Sequence, residues 1–195
     1  MSPASQVGML IVNTLGSLAL LVFLLRFLLQ LVRADFYNPI SQFIVKFSNP
    51  LLIPLRRVIP GFGGMDIASL VLAYGTQVVI IGLGLTIAGY QIPWGNSLVW
   101  AAIGLLSMVL SIYQWGIIIV AIASWIAPNS YNPVLILLNQ ILEPAVRPIR
   151  NIMPDMGGLD LSPLMVLLLI QIMEIIIVRP LAAMAGLPGG LIFGI

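Results

Sequence analysis

Residues 37–70 read YNPISQFIVKFSNPLLIPLRRVIPGFGGMDIASL, and residues 131–164 read YNPVLILLNQILEPAVRPIRNIMPDMGGLDLSPL. An offset of 94 positions, without a gap, superposes eleven identities. Tyr37 falls on Tyr131, Asn38-Pro39 on Asn132-Pro133, Pro50 on Pro144, Pro54 on Pro148 and Arg56 on Arg150. Pro60 falls on Pro154, Gly63-Gly64 on Gly157-Gly158, Asp66 on Asp160 and Leu70 on Leu164. Most of these are Pro, Gly, Asn, Asp and Arg, not the aliphatic residues that fill the chain, so two greasy segments that merely look alike do not explain the match. The chain is an internal duplication.

Around the repeats the sequence is that of an integral membrane protein. Of 195 residues, 61% are hydrophobic and only 7% charged, against about a quarter charged in soluble domains; the mean hydropathy is +1.14. The pI near 9.3 reflects a surplus of two charges among very few, so it points to anionic lipid headgroups beside the spans and not to a direct nucleic-acid partner. With no Cys and no His, disulfides, zinc sites, thiol nucleophiles, Ser-His-Asp triads and His-ligated haem are excluded within this chain. No metal site and no cofactor are expected. The first six residues lack Lys and Arg, so the first apolar run is expected to be a retained span, not a cleaved signal.

The expected architecture is all-α, with four transmembrane helices arranged as two tandem repeats of the same orientation. In the first repeat, residues 1–90, spans at 7–32 and 66–88 flank an interfacial segment at 38–60. In the second, residues 97–180, spans at 97–126 and 161–178 flank an interfacial segment at 132–154. Each span is close to or above the ~20 residues that cross a hydrocarbon core. The apolar tail 181–195, interrupted by Gly186, Pro188, Gly189 and Gly190, is too short for a fifth span and reads as an interfacial or packed terminus.

Each interfacial segment begins with Asn38-Pro39 or Asn132-Pro133, an N-cap followed by Pro at the first helical position. Ile40, Phe43, Ile44 and Phe47 recur at helical spacing opposite Ser41, Gln42, Lys46 and Asn49, as expected of a short amphipathic helix in the interface plane. A cytoplasmic helix packed on the protein itself is the other reading. Pro50 and Pro54, like Pro144 and Pro148, lie four apart, which predicts that the helix stops or kinks there. Arg56 and Arg57, or Arg147 and Arg150, then sit on an elbow able to meet phosphates, and Gly63-Gly64 and Gly157-Gly158 permit positive φ in a tight return. Asp66 and Asp160 are expected to cap the spans that follow.

Six basic residues fall in the two long connections, none in the short one, and only Arg179 after the last span. The positive-inside rule therefore places both repeats in the cytoplasm and both termini outside. Two spans separate the copies, so their pseudo-twofold axis is expected along the membrane normal.

The intramembrane polar residues Arg26, Gln77, Gln171 and Glu174 are the remaining candidates. Arg26 either snorkels or finds an internal partner. Gln77 and Gln171 are 94 apart, and Gln171 and Glu174 share a helix face. The set reads either as hydrogen-bonding glue between helices or as a path for a small cation such as K⁺. Nothing in the chain offers a catalytic constellation, so no enzyme is expected.

The double unit, with Asn-Pro, then PLLIPLRRVIP, then Gly-Gly and Asp, resembles the YggT family of bacterial membrane proteins, related to the YlmG proteins of cyanobacteria and plastids. The resemblance covers both repeats; in the second copy Asn151 replaces the second Arg. The phrase RFLLQLVRADFYNPI at residues 26–40 resembles the proteobacterial branch, which implies a bacterial inner membrane. The resemblance further implies a role in osmotic or envelope stress tolerance or in membrane assembly and organisation, with no catalytic residues. The expected partners are anionic lipid, through Lys46, Arg56, Arg57, Arg147 and Arg150, an unidentified membrane or cytoplasmic protein, and further copies of the chain.

Overall fold

The computed structural model describes residues 2–127, 130–153 and 160–189. It is all-helical in these residues: α1 (Pro3–Leu31), α2 (Pro39–Val58), α3 (Ile67–Ile87), α4 (Trp94–Ile126), α5 (Pro133–Ile152), α6 (Ser162–Met173), a π-helical segment (Glu174–Val178) and α7 (Arg179–Met184). Four helices, α1, α3, α4 and the continuous α6–α7 rod Ser162–Met184, are long and apolar enough to cross a membrane. The protein is thus a multi-pass helical membrane protein built from two tandem units.

In each unit the two spans pack together over the connecting helix: α1 on α3 above α2, and α4 on α6 above α5. The α2 and α5 helices also touch each other, so both connections lie at one end of the bundle. Among the described residues two hydrogen bonds tie that end across the units: Asn38 Nδ2 donates to the Pro133 carbonyl at 2.8 Å, and the Asp35 N–H to Gln140 Oε1 at 3.0 Å. Within the membrane the Tyr74 hydroxyl donates to the Leu98 carbonyl, joining α3 to α4. The main core runs between α1, α3 and α4 through Leu24, Leu28, Ile80 and Met108, and a second core holds α6 on α4 through Ile117, Val166 and Ile170. Gly16 is the close-approach point of α1 on α3: a Cβ there would lie 2.5 Å from Ile80 Cγ1.

The asparagine caps form as the sequence predicts, with Asn38 and Asn132 each accepting the N–H two residues on and Pro39 and Pro133 opening α2 and α5. The helices do not stop at the prolines. The α2 helix runs through Pro50 and Pro54 to Val58, and α5 through Pro144 and Pro148 to Ile152. The reason is the face they occupy. Lys46, Pro50 and Pro54 form one exposed stripe, so the carbonyls that lose an N–H partner point away from the bundle, where tilting outward toward polar surroundings costs little. Pro144 and Pro148 are exposed in the same way. Arg56 and Arg57 consequently lie in the last turn of α2, not on a separate elbow.

The Gly turn of the first unit forms as expected. Phe62 and Met65 pair through both backbone groups around Gly63 (φ 60°) and Gly64 (φ 82°), a two-residue hairpin that needs positive φ at both positions. Its counterparts Gly157 and Gly158, together with Pro154, lie outside the described residues. The fourth span differs from expectation by continuing to Met184, so the first residues of the tail are helical. Pro180 has no N–H for a regular turn, and the chain widens into the π segment immediately before it, where the Arg179 N–H reaches the Glu174 carbonyl. Beyond it Ala185 and Leu187 pack against the cores, and the Ala185 carbonyl accepts from Trp100 Nε1.

Candidate functional site

The connection end of the first unit is organised around a charge cluster. The Arg56 guanidinium in the last turn of α2 grips the Asp66 carboxylate at the start of α3, Nε donating to Oδ1 at 3.3 Å and Nη2 to Oδ2. Nη2 also reaches Gln30 Oε1 of α1 at 3.4 Å. The Asp66 side chain is 3% exposed. The hairpin at Gly63-Gly64 returns the chain so that residues ten apart meet. Asp66 therefore does not cap α3, which has no side-chain cap bond. A helix N-terminus and an arginine compete for the same carboxylate, and a charge-assisted pair is the stronger claim.

Arg26 joins this cluster from α1. It is 6% exposed, so it does not snorkel. Its guanidinium carbon lies 5.1 Å from the centroid of the Phe36 ring, a cation–π contact that offsets part of its desolvation, while Nε and Nη1 have no hydrogen-bond partner among the described residues. No ion pair to Glu174 forms among the described residues.

The second unit repeats the clasp in a more open form. Arg150 Nε donates to Asp160 Oδ2 at 2.9 Å, and Arg150 Nη1 lies 3.6 Å from Glu143. Here the aspartate also accepts the Ser162 N–H at 2.9 Å, just ahead of α6, whose cap position is Leu161 and carries no side-chain cap bond, so the expected capping by Asp160 does not form either. Hydrogen bonding from Ser162 is the first cause that holds the Asp160 carboxyl below its ordinary value; burial opposes it, and the Ser162 N–H and Arg150 reinforce it. The equivalents of Arg26, Gln30 and Phe36 are Val120, Ser124 and Ser130, so these three positions do not complete a second buried cluster among the described residues.

Of the basic residues read as ligand-binding, Arg56 and Arg150 are thus engaged within the protein. Lys46, Arg57 and Arg147 are exposed and make no ion pair among the described residues. Lys46 and Arg57 share α2 with an uncovered apolar surface: α2 turns Ser41, Ile44, Ser48 and Leu52 to the bundle and leaves Phe43, Phe47 and Leu51 more than half exposed.

The intramembrane polar residues are not gathered into one cluster. Gln77, buried on α3, faces a cavity of about 610 Å³ between α1, α3 and α4. Gln171 is exposed on the outer face of α6, and Glu174 is partly exposed at the first π turn. The cause is a break in the pseudo-symmetry: α3 packs against α4, whereas α6 does not pack on α1 in the same way. Sequence reasoning missed the other polar groups of the cavity, Asn13, Thr14, Ser17 and Ser111. Ser17 and Ser111 are themselves 94 apart, a recurrence that could have drawn attention to them.

Comparison with known proteins agrees with the geometry. The CCB3/YggT family model matches residues 5–87 and again 99–181. The chain is 52% identical over 180 residues to "Uncharacterized protein PA0392" of Pseudomonas aeruginosa, covering 91% of each chain. It is 36% identical over 184 residues to "Uncharacterized protein YggT" of Escherichia coli K12, covering 92% of this chain and 94% of the relative. It is also 38% identical over 165 residues to "Uncharacterized protein in proC 3'region" of Vibrio alginolyticus, covering 83% and 88%. No solved structure matches it. Two tandem family units, each closing its connection with an Arg–Asp clasp at the same register, make this chain a member of the CCB3/YggT family.

Proposed function

We propose that the protein is a non-enzymatic factor of the bacterial inner membrane whose cytoplasmic connecting helices hold anionic lipid and a partner protein, and so support the envelope under osmotic stress. The observation that carries this reading is the exposed flank of α2, where Phe43, Phe47 and Leu51 lie beside Lys46 and Arg57. An amphipathic helix seated on its own bundle through Ser41, Ile44, Ser48 and Leu52, with aromatics and cations side by side on its exposed surface, suits the boundary of bilayer and cytoplasm. Arg147 adds a cation from the second unit. At about 1 kcal/mol per basic residue near an anionic surface, these cations bias lipid composition without selecting one headgroup.

The test is the lipid retained around purified protein in nanodiscs of mixed phosphatidylglycerol and phosphatidylcholine. The triple variant Lys46→Gln/Arg57→Gln/Arg147→Gln is expected to lose the enrichment in phosphatidylglycerol, and an unchanged enrichment sinks the lipid half of the proposal. Arg56 is left intact because its loss would perturb the clasp. For the physiological half, the same variant should fail to restore growth after osmotic upshift to a strain lacking the gene.

Exposed Gln171 and partly exposed Glu174 on an otherwise apolar span favour self-association, because a second copy can supply the hydrogen bonds that hydrocarbon cannot. A cation path through Gln77, Gln171 and Glu174 has weaker support. Only Gln77 lines the cavity.

A further inference from the structure

The cavity between the two units has a polar content that the proposed lipid-headgroup role does not use. Asn13, Thr14 and Ser17 of α1, Gln77 of α3 and Ser111 of α4 line it. All lie in the middle portions of apolar spans, where unmatched amides and hydroxyls are costly.

The walls also follow the duplication. Thr14 and Met108, Ser17 and Ser111, Leu18 and Ile112, and Leu21 and Trp115 all line the cavity, and each pair is 94 apart. The cavity therefore sits at the pseudo-twofold seam between α1 and α4, with Gln77 on one side only. At its rim Leu18 and Trp115 are 55% and 58% exposed, so the opening faces the surroundings of the spans.

We propose that this seam binds an uncharged, long-chain lipid that carries a hydroxyl or ester head, entering from the hydrocarbon. The volume of about 610 Å³ lies within the ~300–1,000 Å³ of small-molecule clefts, enough for a head and the start of its chains. The remainder of the chains stays in the bilayer through the open rim. Among the described residues no Lys, Arg, Asp or Glu lines the cavity, so a phosphate head would be buried without a countercharge. A neutral hydroxyl or ester instead exchanges hydrogen bonds with Gln77, Ser17 and Ser111 while its chains meet Leu18, Ile80 and Ile112.

The experiment uses the full chain in nanodiscs with a photoactivatable diacylglycerol, its diazirine near the head, and peptide mapping of the adducts. Labelling is expected to concentrate on α1 near Ser17 and on α4 near Ser111. Unlabelled dioleoylglycerol should compete for it, and dioleoyl phosphatidylglycerol should not. Gln77→Leu should reduce cavity labelling about tenfold, the equivalent of roughly one hydrogen bond to a neutral group in an apolar site, while labelling of outward residues such as Leu168 stays constant. Labelling spread evenly over outward-facing residues, or competition by phosphatidylglycerol at equal strength, overturns the proposal. So does protection of the cavity by crosslinked dimer formation through Trp115. The competition arm needs no variant and decides the matter even where Gln77→Leu fails to fold.

Discussion

Replacing Asp66 by Asn should destabilise the protein far more than the equivalent change at Asp160. In the first unit the carboxylate is 3% exposed and the Arg56 side chain 35% exposed, so one partner is buried and the other can partly rehydrate. Exposed ion pairs contribute roughly 0.2–1 kcal/mol, and removing one member of a fully buried pair costs about 3–5 kcal/mol. Discounting for the accessible arginine places Asp66→Asn at about 2–3 kcal/mol. In the second unit both side chains are about half exposed, 49% and 42%, and Asp160→Asn should cost under about 1 kcal/mol. Reversible unfolding in mixed SDS micelles, followed by circular dichroism, measures both. A double-mutant cycle with Arg56→Gln should return a coupling of at least about 1 kcal/mol in the first unit. Equal costs at the two aspartates, within about 0.5 kcal/mol, would refute the reasoning that burial separates the clasps.

Three further outcomes follow from local geometry. Asp160 has a carboxyl held below its ordinary value of 3.8, so its stabilising contribution is complete above that pH and is lost as pH falls through the lower folded value; an acid titration of stability should show this step in the wild type and not in Asp160→Asn. Gly16→Ala should cost about 1–3 kcal/mol, because its Cβ meets Ile80, and Ile80→Ala in the same protein should recover part of the loss in the same unfolding assay. Arg33 closes α1 with φ 54° while the Ala34 N–H reaches the Leu29 carbonyl; Arg33→Gly should stabilise by about 1 kcal/mol, visible as a raised melting temperature in detergent.

The spans and the duplication were legible because apolar runs and recurring Pro, Gly and Asn act through backbone rules that need no partner. Asn38 as a cap and Gly63-Gly64 as a return belong to that class. The prolines of α2 misled for the complementary reason: the local rule counts a lost hydrogen bond, but not the direction in which the orphaned carbonyl points. Asp66 reads as a cap in sequence because a carboxylate at a helix start satisfies that rule by itself. Its partner ten residues back appears only once the hairpin has folded, although the joint recurrence of Arg and Asp at one spacing in both copies was a usable hint. Gln77 and Gln171 are indistinguishable in sequence, and what separates them is the packing of α3 on α4 without an equivalent for α6 on α1.

The bond from Asn38 to the Pro133 carbonyl bears on why two units share one polypeptide. In a dimer of identical half-length chains, rotation would oblige every contact across the axis to occur twice, so Asn132 would have to reach Pro39 as well. Fusion removes that obligation. Asn38 is buried at 7% exposure, whereas Asn132 stays exposed with only its own helix to cap. Each half can therefore drift toward a different duty, one keeping the bundle shut and the other open to change, without either having to carry a mutation that suits both.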